Sequence, residues 1–140
     1  MAVSLEDRFA VQDLFIRYAT ALDNGDADGV VSCFTPDASM ESPVVGVKTG
    51  TAEIRAFAEQ FSRFHASGAQ LRHVLTNFAI TVDGDIAHAT CYLVNIVTRD
   101  GASRMGPPGR YDCTLARVDG AWLFKRRLVV LDAAFKLDGI

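Results

Sequence analysis

His73 is the residue whose type and setting most favour acid–base chemistry. It lies in residues 71–82, where strand alternation places His73 and Asn77 on a face that is otherwise apolar. Imidazole suits proton transfer near neutral pH, so we expect His73 to act as a general base and Asn77 to contact the same ligand. The alternative is a structural histidine in the core, whose ring nitrogen forms a hydrogen bond with a backbone group.

Asp23 is the expected partner of His73. It ends the first predicted helix, in the polar turn Asp23-Asn24-Gly25-Asp26, where turn statistics alone would leave it exposed. The helix dipole disfavours an anion at this end, so an imidazolium or a guanidinium should compensate the charge. If Asp23 meets His73, the carboxylate would fix the imidazole tautomer and stabilise the protonated ring.

Tyr18 is a third candidate, because it lies on the apolar stripe of the same helix. Most such tyrosines are core residues with the hydroxyl at a wet edge, but a ring that lines a cavity could donate to a developing oxyanion. Asp23 lies five residues further along, about 140° round an ideal helix. Both residues reach one cavity only if it wraps the helix end.

Arg126 and Arg127 should point to opposite faces of the last predicted strand, so one of them faces inward. An inward guanidinium needs a carboxylate partner, and Asp112 and Asp132 are the candidates. We expect Arg127 to contact a ligand. Two aromatic residues complete the set of expected ligand contacts, Tyr111 on a sheet face and Phe57 on the inward stripe of the third predicted helix.

No spacing in the sequence is typical of a metal site or a covalent nucleophile. The three histidines lack ligand spacing, and His65 is expected at an exposed helix end. A site built from His73, His88 and Asp23 is an alternative without a fixed geometry, since His88 falls on a different strand. The sequence has no glycine-rich phosphate loop and no Gly-x-Ser-x-Gly elbow. We therefore expect neither a metal nor a cofactor.

Composition excludes several classes of partner. The 140 residues carry 14 Lys and Arg against 17 Asp and Glu, so no basic surface for nucleic acid is indicated. The apolar stretches are too short to span a membrane, and the N-terminus does not resemble a secretory signal. Cys33, Cys91 and Cys113 have apolar neighbours, as expected of core residues in a reducing cytoplasm. The length favours one domain over residues 1–140.

Hydrophobic periodicity changes from helical in the first half to alternating in the second. The predicted elements are helices at residues 4–24, 26–34 and 49–67, a short strand at 38–42, a loop at 43–49, and strands at 71–82, 86–98, 109–118 and 122–131. Pro36 is expected to break the second helix. Helices followed by an antiparallel meander predict an α+β fold, with the helices on one sheet face and a cavity between the layers.

Five segments carry a family resemblance. They are IRYATALDNGD at residues 16–26, CFTPDA at 33–38, GTAEIRAF at 50–57, RHVLTN at 72–77, and the last hairpin through DGAW at 119–122. Together they resemble SnoaL-like proteins of the nuclear-transport-factor-2-like superfamily, over nearly the whole chain. The resemblance implies a cone-shaped α+β barrel, with three N-terminal helices packed on a curved, mainly antiparallel sheet that encloses a pocket.

The proposed site resembles that of scytalone-dehydratase and bile-acid-7α-dehydratase type enzymes, whose cone is lined by a Tyr, an Asp and a His. Tyr18, Asp23 and His73 match those places. The resemblance implies a cofactor-free lyase of dehydratase type. Its substrate would be small, hydrophobic and hydroxylated, with an aromatic or polycyclic body.

Three alternatives stay open. Ketosteroid isomerase also resembles the N-terminal third, but Ser42 occupies the place of its base carboxylate and its second acid falls near Pro108. SnoaL-type polyketide cyclases use an acid–base carboxylate in the same cone. A non-catalytic ligand-binding or assembly module of the same fold is the third.

The sheet face opposite the helices predicts self-association. The strands carry apolar residues on both faces, although the helices can cover only one of them. Examples are Val94, Ile96, Val118 and Val130. We expect a homodimer or a homotrimer through this open face, as the family resemblance also implies.

Overall fold

The computed structural model describes residues 2–134, 136 and 137, which form three helices and seven strands. The helices are α1 (Leu5–Asp23), α2 (Ala27–Val31) and α3 (Gly50–Ala66). The strands are β1 (Phe34–Ser42), β2 (Gly46–Thr49), β3 (Ala69–Asp83), β4 (Ile86–Arg99), β5 (Ala102–Met105), β6 (Gly109–Val118) and β7 (Ala121–Leu131). The α+β prediction is confirmed.

Both long helices bury one stripe against the sheet. α1 begins after Ser4, whose Oγ accepts the backbone N–H of Asp7 at 3.0 Å and so caps the first turn. The buried stripe of α1 includes Val11, Leu14, Phe15, Tyr18 and Leu22, and that of α3 is Ile54, Phe57, Ala58, Phe61 and Phe64. No helix within the described residues is long and apolar enough to cross a bilayer.

The strands form one mixed, mostly antiparallel sheet in the order β2-β1-β7-β6-β4-β3, with β5 added to β4. The predicted meander corresponds to β3, β4, β6 and β7. The pairing of β1 with β7 is parallel and was not anticipated by the sequence. The two ends of the order, β2 and β3, do not pair within the described residues, so the sheet is open and the implied barrel is not closed.

The region around Pro36 differs from the prediction. The second helix already ends at Val31, and Pro36 lies inside β1 rather than at a helix end. Proline has no N–H to donate, and it is tolerated here because the pairing of β1 with β7 is irregular between Phe34 and Ser39. Two further strands occur outside the predicted elements. β2 pairs with β1 within the predicted loop, and β5 folds back on the end of β4.

A bulge in β3 changes which residues face the helices. Asn77 has a φ of 56°, and the ladder with β4 shifts between Thr76 and Ala79. The more buried positions are 71, 73 and 75 before this point but 78, 80 and 82 beyond it. One extra residue inverts the alternation of a strand. Asn77 is therefore exposed, and the prediction that it shares a face with His73 is wrong.

The core between the helices and the sheet is rich in aromatic rings. The ring of Phe15 lies 5.3 Å from that of Phe78 and 5.0 Å from that of Phe124, both in edge-to-face contact. All three cysteines are buried and free, as predicted for core residues. Burial raises the pKa of Cys91 to about 12, so this thiol stays protonated and acts as a small apolar group.

Candidate active site

Asp23 and His73 are in direct contact. The Oδ1 atom of Asp23 lies 2.6 Å from Nδ1 of His73, and Oδ2 accepts the backbone N–H of His73 at 2.9 Å. Only 5% of the His73 side chain and 9% of the Asp23 side chain are exposed. A carboxylate in this position favours the tautomer with the proton on Nδ1 and leaves Nε2 available to a ligand.

The end of α1 is held in place from two sides. Gln70 Nε2 donates to the backbone oxygen of Asp23 at 2.8 Å, which joins α1 to the start of β3. Ser62 Oγ donates to the backbone oxygen of Gly25 at 2.7 Å, which joins the following turn to α3. Asp23 is therefore buried, whereas turn statistics alone place it on the surface.

A cavity of about 40 Å³ lies beside His73, and we call it the inner cavity. Its polar lining is Tyr18, Ser42, His73, Asn95, Tyr111 and Arg127; its apolar lining includes Leu22, Phe57, Phe61, Leu71, Leu93, Val129 and Leu137. A space of this size holds about three water molecules. The structure thus brings Tyr18, Phe57, Tyr111 and Arg127 to the same cavity as His73, and it leaves Asn77 outside.

Arg127 faces the inner cavity, and it does so without the expected carboxylate. It is 2% exposed and forms no ion pair with a described residue. Its guanidinium carbon lies 4.8 Å from the ring centre of Tyr18 and 5.0 Å from that of Tyr111. These cation–π contacts stabilise the buried cation but do not neutralise it. A positive charge therefore remains for a ligand oxygen.

The predicted carboxylate partners of Arg127 lie elsewhere. Asp132 is exposed, and Asp112 lies 2.8 Å from Nε2 of His88. His88 is exposed on the sheet face opposite the helices. His88 therefore cannot join His73 and Asp23 in a metal site, which removes that alternative.

Three buried polar atoms at the inner cavity lack a hydrogen-bond partner among the described residues. They are Tyr18 Oη, Asn95 Oδ1 and Arg127 Nε. Buried polar atoms are almost always satisfied, so their convergence indicates a polar guest, either water or a ligand. Burial raises the pKa of Tyr18 to about 12, so its hydroxyl remains a donor at neutral pH.

Asn95 is a polar residue of the cavity wall that sequence reasoning missed. It pairs with His73 across the β3–β4 ladder. Alternation along β4 supplies the signal, because the buried Leu93 and the half-buried Asn95 and Val97 follow one another at every second position on the inner face.

His65 lies in the last turn of α3, as the sequence predicts, but the prediction that it is exposed there is wrong. Both of its ring nitrogens are buried and have no hydrogen-bond partner among the described residues. Burial lowers the pKa of His65, and this outweighs the opposite influence of the Asp23 carboxylate. The ring is therefore held in its neutral form in the folded protein.

This burial predicts a pH dependence of stability. Protonation of His65 favours the unfolded chain, so the free energy of unfolding should fall as pH decreases below the ordinary histidine value of about 6.5. Above that value the ring is neutral in both states and adds no pH dependence. Urea titrations across this range should give a shallower fall for His65→Gln than for the wild type. An identical pH dependence of the two proteins would contradict the expectation.

Comparison with known proteins identifies the family. Residues 3–128 match the SnoaL-like domain. The chain belongs to the SnoaL-like domain family. This confirms the resemblance drawn from the five sequence segments and accounts for the three helices packed on a mostly antiparallel sheet.

Three solved structures from Novosphingobium aromaticivorans have the same architecture as this chain. One, proposed to be an aromatic ring hydroxylase, is 33% identical, with a TM-score of 0.81 and coverage of 95% of this chain and 94% of that one. An NTF2-like protein with a cystatin-like fold is 29% identical, with a TM-score of 0.80 and coverage of 93% and 85%. A proposed scytalone dehydratase is 21% identical, with a TM-score of 0.80 and coverage of 92% and 86%, a likeness that shows the fold alone.

Proposed function

We propose that this SnoaL-like protein is a cofactor-free lyase that removes water from a small hydrophobic hydroxy compound, with the Asp23–His73 pair as its base. The observation that carries the proposal is the 2.6 Å contact between the two side chains at the wall of the inner cavity. No Asp or Glu is among the described residues that line this cavity. This favours His73 as the proton acceptor over the carboxylate bases of the isomerase and cyclase alternatives.

The first step is removal of a proton next to a carbonyl group. Nε2 of His73 takes the proton from carbon, and the electron pair of the C–H bond moves toward the carbonyl oxygen to give an enolate. Asp23 stabilises the imidazolium that forms. The Tyr18 hydroxyl and the Arg127 guanidinium, both at the same cavity, are placed to stabilise the negative oxygen.

The second step expels the hydroxyl group. The enolate electrons form a carbon–carbon double bond while the bond from carbon to the hydroxyl oxygen breaks. The departing hydroxide takes the proton from Nε2 of His73 and leaves as water. One water molecule and one unsaturated carbonyl compound are formed, and His73 is neutral again.

The inner cavity is too small for the proposed substrate. About 40 Å³ cannot hold an aromatic ring system, so part of the wall must move when the substrate binds. We propose that Leu137 is the part that moves, because its side chain lines both this cavity and a second, larger one. The relative proposed to be an aromatic ring hydroxylase supports an aromatic body for this substrate.

A simple test uses a β-hydroxytetralone, which becomes a naphthol when it loses water. Absorbance of the naphthol should rise with the wild-type protein, and it should rise about 10²–10⁴-fold more slowly with His73→Asn. Equal rates for the two proteins would contradict the proposal. Binding of the ketone without turnover by the wild type would instead support the non-catalytic binding module.

We also propose self-association through the sheet face opposite the helices. Val74 and Tyr92 are exposed there by 44% and 59%, and Val94 lies opposite Val74 in the ladder. Sedimentation at micromolar concentration should show a dimer or a trimer. Tyr92→Glu should shift it toward the 15.2 kDa monomer, because a buried unpaired carboxylate is costly.

The matched control for this experiment is Phe9→Glu. Phe9 is 69% exposed on α1, away from the open sheet face, so its substitution should leave the oligomer intact. A wild-type protein that sediments as a monomer would contradict the proposed association. So would equal dissociation of the two variants.

A further inference from the structure

A second cavity, of about 480 Å³, adjoins the inner one, and we call it the outer cavity. Leu137 lines both. Along α3, Phe61 lines the inner cavity and Phe64 the outer one; along β4, Asn95 lines the inner cavity and Val97 the outer one. The two cavities are therefore consecutive parts of one groove between α3 and β4, divided by the Leu137 side chain.

Positive charge is concentrated in the outer cavity. Its lining carries Arg99, Arg104 and Lys136 against the single carboxylate of Asp100. This excess of positive charge is opposite in sign to the net charge of the whole protein, which is -3. Cations gathered in a concave surface raise the local concentration of anions.

Two of these cations have no partner in the part of the chain that the structure describes. Arg99 donates to the backbone oxygen and to Oγ of Ser67, at 3.3 and 3.1 Å, and so has a structural role. Arg104 and Lys136 are exposed and form no ion pair with any described residue. Their charges are therefore available to a ligand.

We propose that the outer cavity binds an anionic group, a carboxylate or a phosphate, carried by the same ligand whose apolar body occupies the inner cavity. The anion site stands on the outer cavity itself, and only its link to a reacting body rests on the proposed function. Asn95 stands opposite His73, and Arg99 lies four residues further along β4, a run of roughly 13 Å. The ligand is thus an elongated molecule with an aromatic end and an anionic end.

Leu137 would then separate the two ends of the groove and move aside for the spacer of the bound ligand. A spacer of several methylene groups crosses this point without requiring polar partners, since Leu137, Phe64 and Val97 are all apolar. The anion remains near solvent, so its attraction to Arg104 and Lys136 should be modest and sensitive to salt.

The test compares a naphthyl-hexanoate with its neutral primary amide, using naphthalene fluorescence to measure both dissociation constants. The wild type should bind the acid roughly tenfold more tightly than the amide at low ionic strength. High salt should reduce this preference. The double variant Arg104→Gln/Lys136→Gln should lose the preference and keep its affinity for the amide.

A naphthyl-hexyl phosphate identifies the natural anion. Tighter binding of this phosphate than of the acid would indicate that the site takes a phosphate, and weaker binding would indicate a carboxylate.

The matched control is Arg17→Gln/Lys125→Gln, which removes the same charge from exposed positions outside both cavities and should keep the preference. Equal affinities of the wild type for acid and amide would overturn the proposal. An equal loss in the control variant, or no binding of the acid at millimolar concentration, would overturn it too. His73→Asn should keep the preference, so a failure of the dehydratase proposal would not be mistaken for a failure of the anion site.

Discussion

His73→Asn should lower the rate of dehydration by a factor of about 10²–10⁴, the usual contribution of a general base. Asparagine can still donate a hydrogen bond to Asp23 Oδ1, where the ring now lies at 2.6 Å, but it cannot accept a proton from carbon. The melting temperature should therefore stay close to that of the wild type. Turnover of the β-hydroxytetralone and a thermal melt on the same samples measure both quantities.

His73→Ala provides the contrast for this result. It also removes the base, but it leaves the buried Asp23 carboxylate with one oxygen unpaired, which should destabilise the fold by about 1–3 kcal/mol. The two variants should thus be equally inactive and differ in stability. Turnover by His73→Asn within a few-fold of the wild-type rate would show that His73 is not the base.

Asp23→Asn should lower turnover by a similar factor, about 10²–10⁴, because the ring of His73 would adopt the wrong tautomer. The two oxygens of Asp23 accept two N–H groups of His73, from the backbone and from Nδ1. An asparagine amide has one oxygen and one NH₂ group, so it cannot accept both. With the oxygen on the backbone N–H, the NH₂ group faces Nδ1 and forces the proton to Nε2, which can then no longer accept a proton.

The matched control for Asp23→Asn is Asp28→Asn. Asp28 is an exposed carboxylate that pairs with Arg55 on the surface at 2.8 Å, so its substitution should leave turnover unchanged. The Asp23→Asn variant should stay folded, with any loss confined to one hydrogen bond. Equal turnover by the two variants would show that Asp23 has no role in orienting the base.

The meeting of Asp23 with His73 could be predicted because local signals and a family pattern agree. A helix stop after Asp23 and strand alternation around His73 place each residue, and the resemblance pairs them. The prediction that Asn77 shares a face with His73 is wrong because a single extra residue in β3 inverts the alternation of side chains beyond Thr76. Asparagine tolerates the positive φ of this bulge. Many exposed asparagines lie in regular strands or loops, however, so the residue type alone does not predict a bulge.

The surroundings of Arg127 could not be predicted from its neighbours along the chain. The expected pairing of Arg127 with Asp112 or Asp132 is wrong. Two aromatic faces, from Tyr18 on α1 and Tyr111 on β6, supply stabilising contacts instead. The parallel pairing of β1 with β7 and the position of Leu137 between the two cavities likewise depend on segments distant in sequence. Periodicity describes each element but carries no information about such contacts.

Nitrogen NMR of the histidine rings tests the central claim most directly, because it reads the tautomer of His73 without any substrate. The claim is that Asp23 holds the ring with its proton on Nδ1 and leaves Nε2 open to the inner cavity. In mildly alkaline buffer the wild type should show His73 protonated at Nδ1 and unprotonated at Nε2, and Asp23→Asn should shift the proton toward Nε2. A wild-type His73 that carries its proton on Nε2, unchanged in Asp23→Asn, would contradict the account.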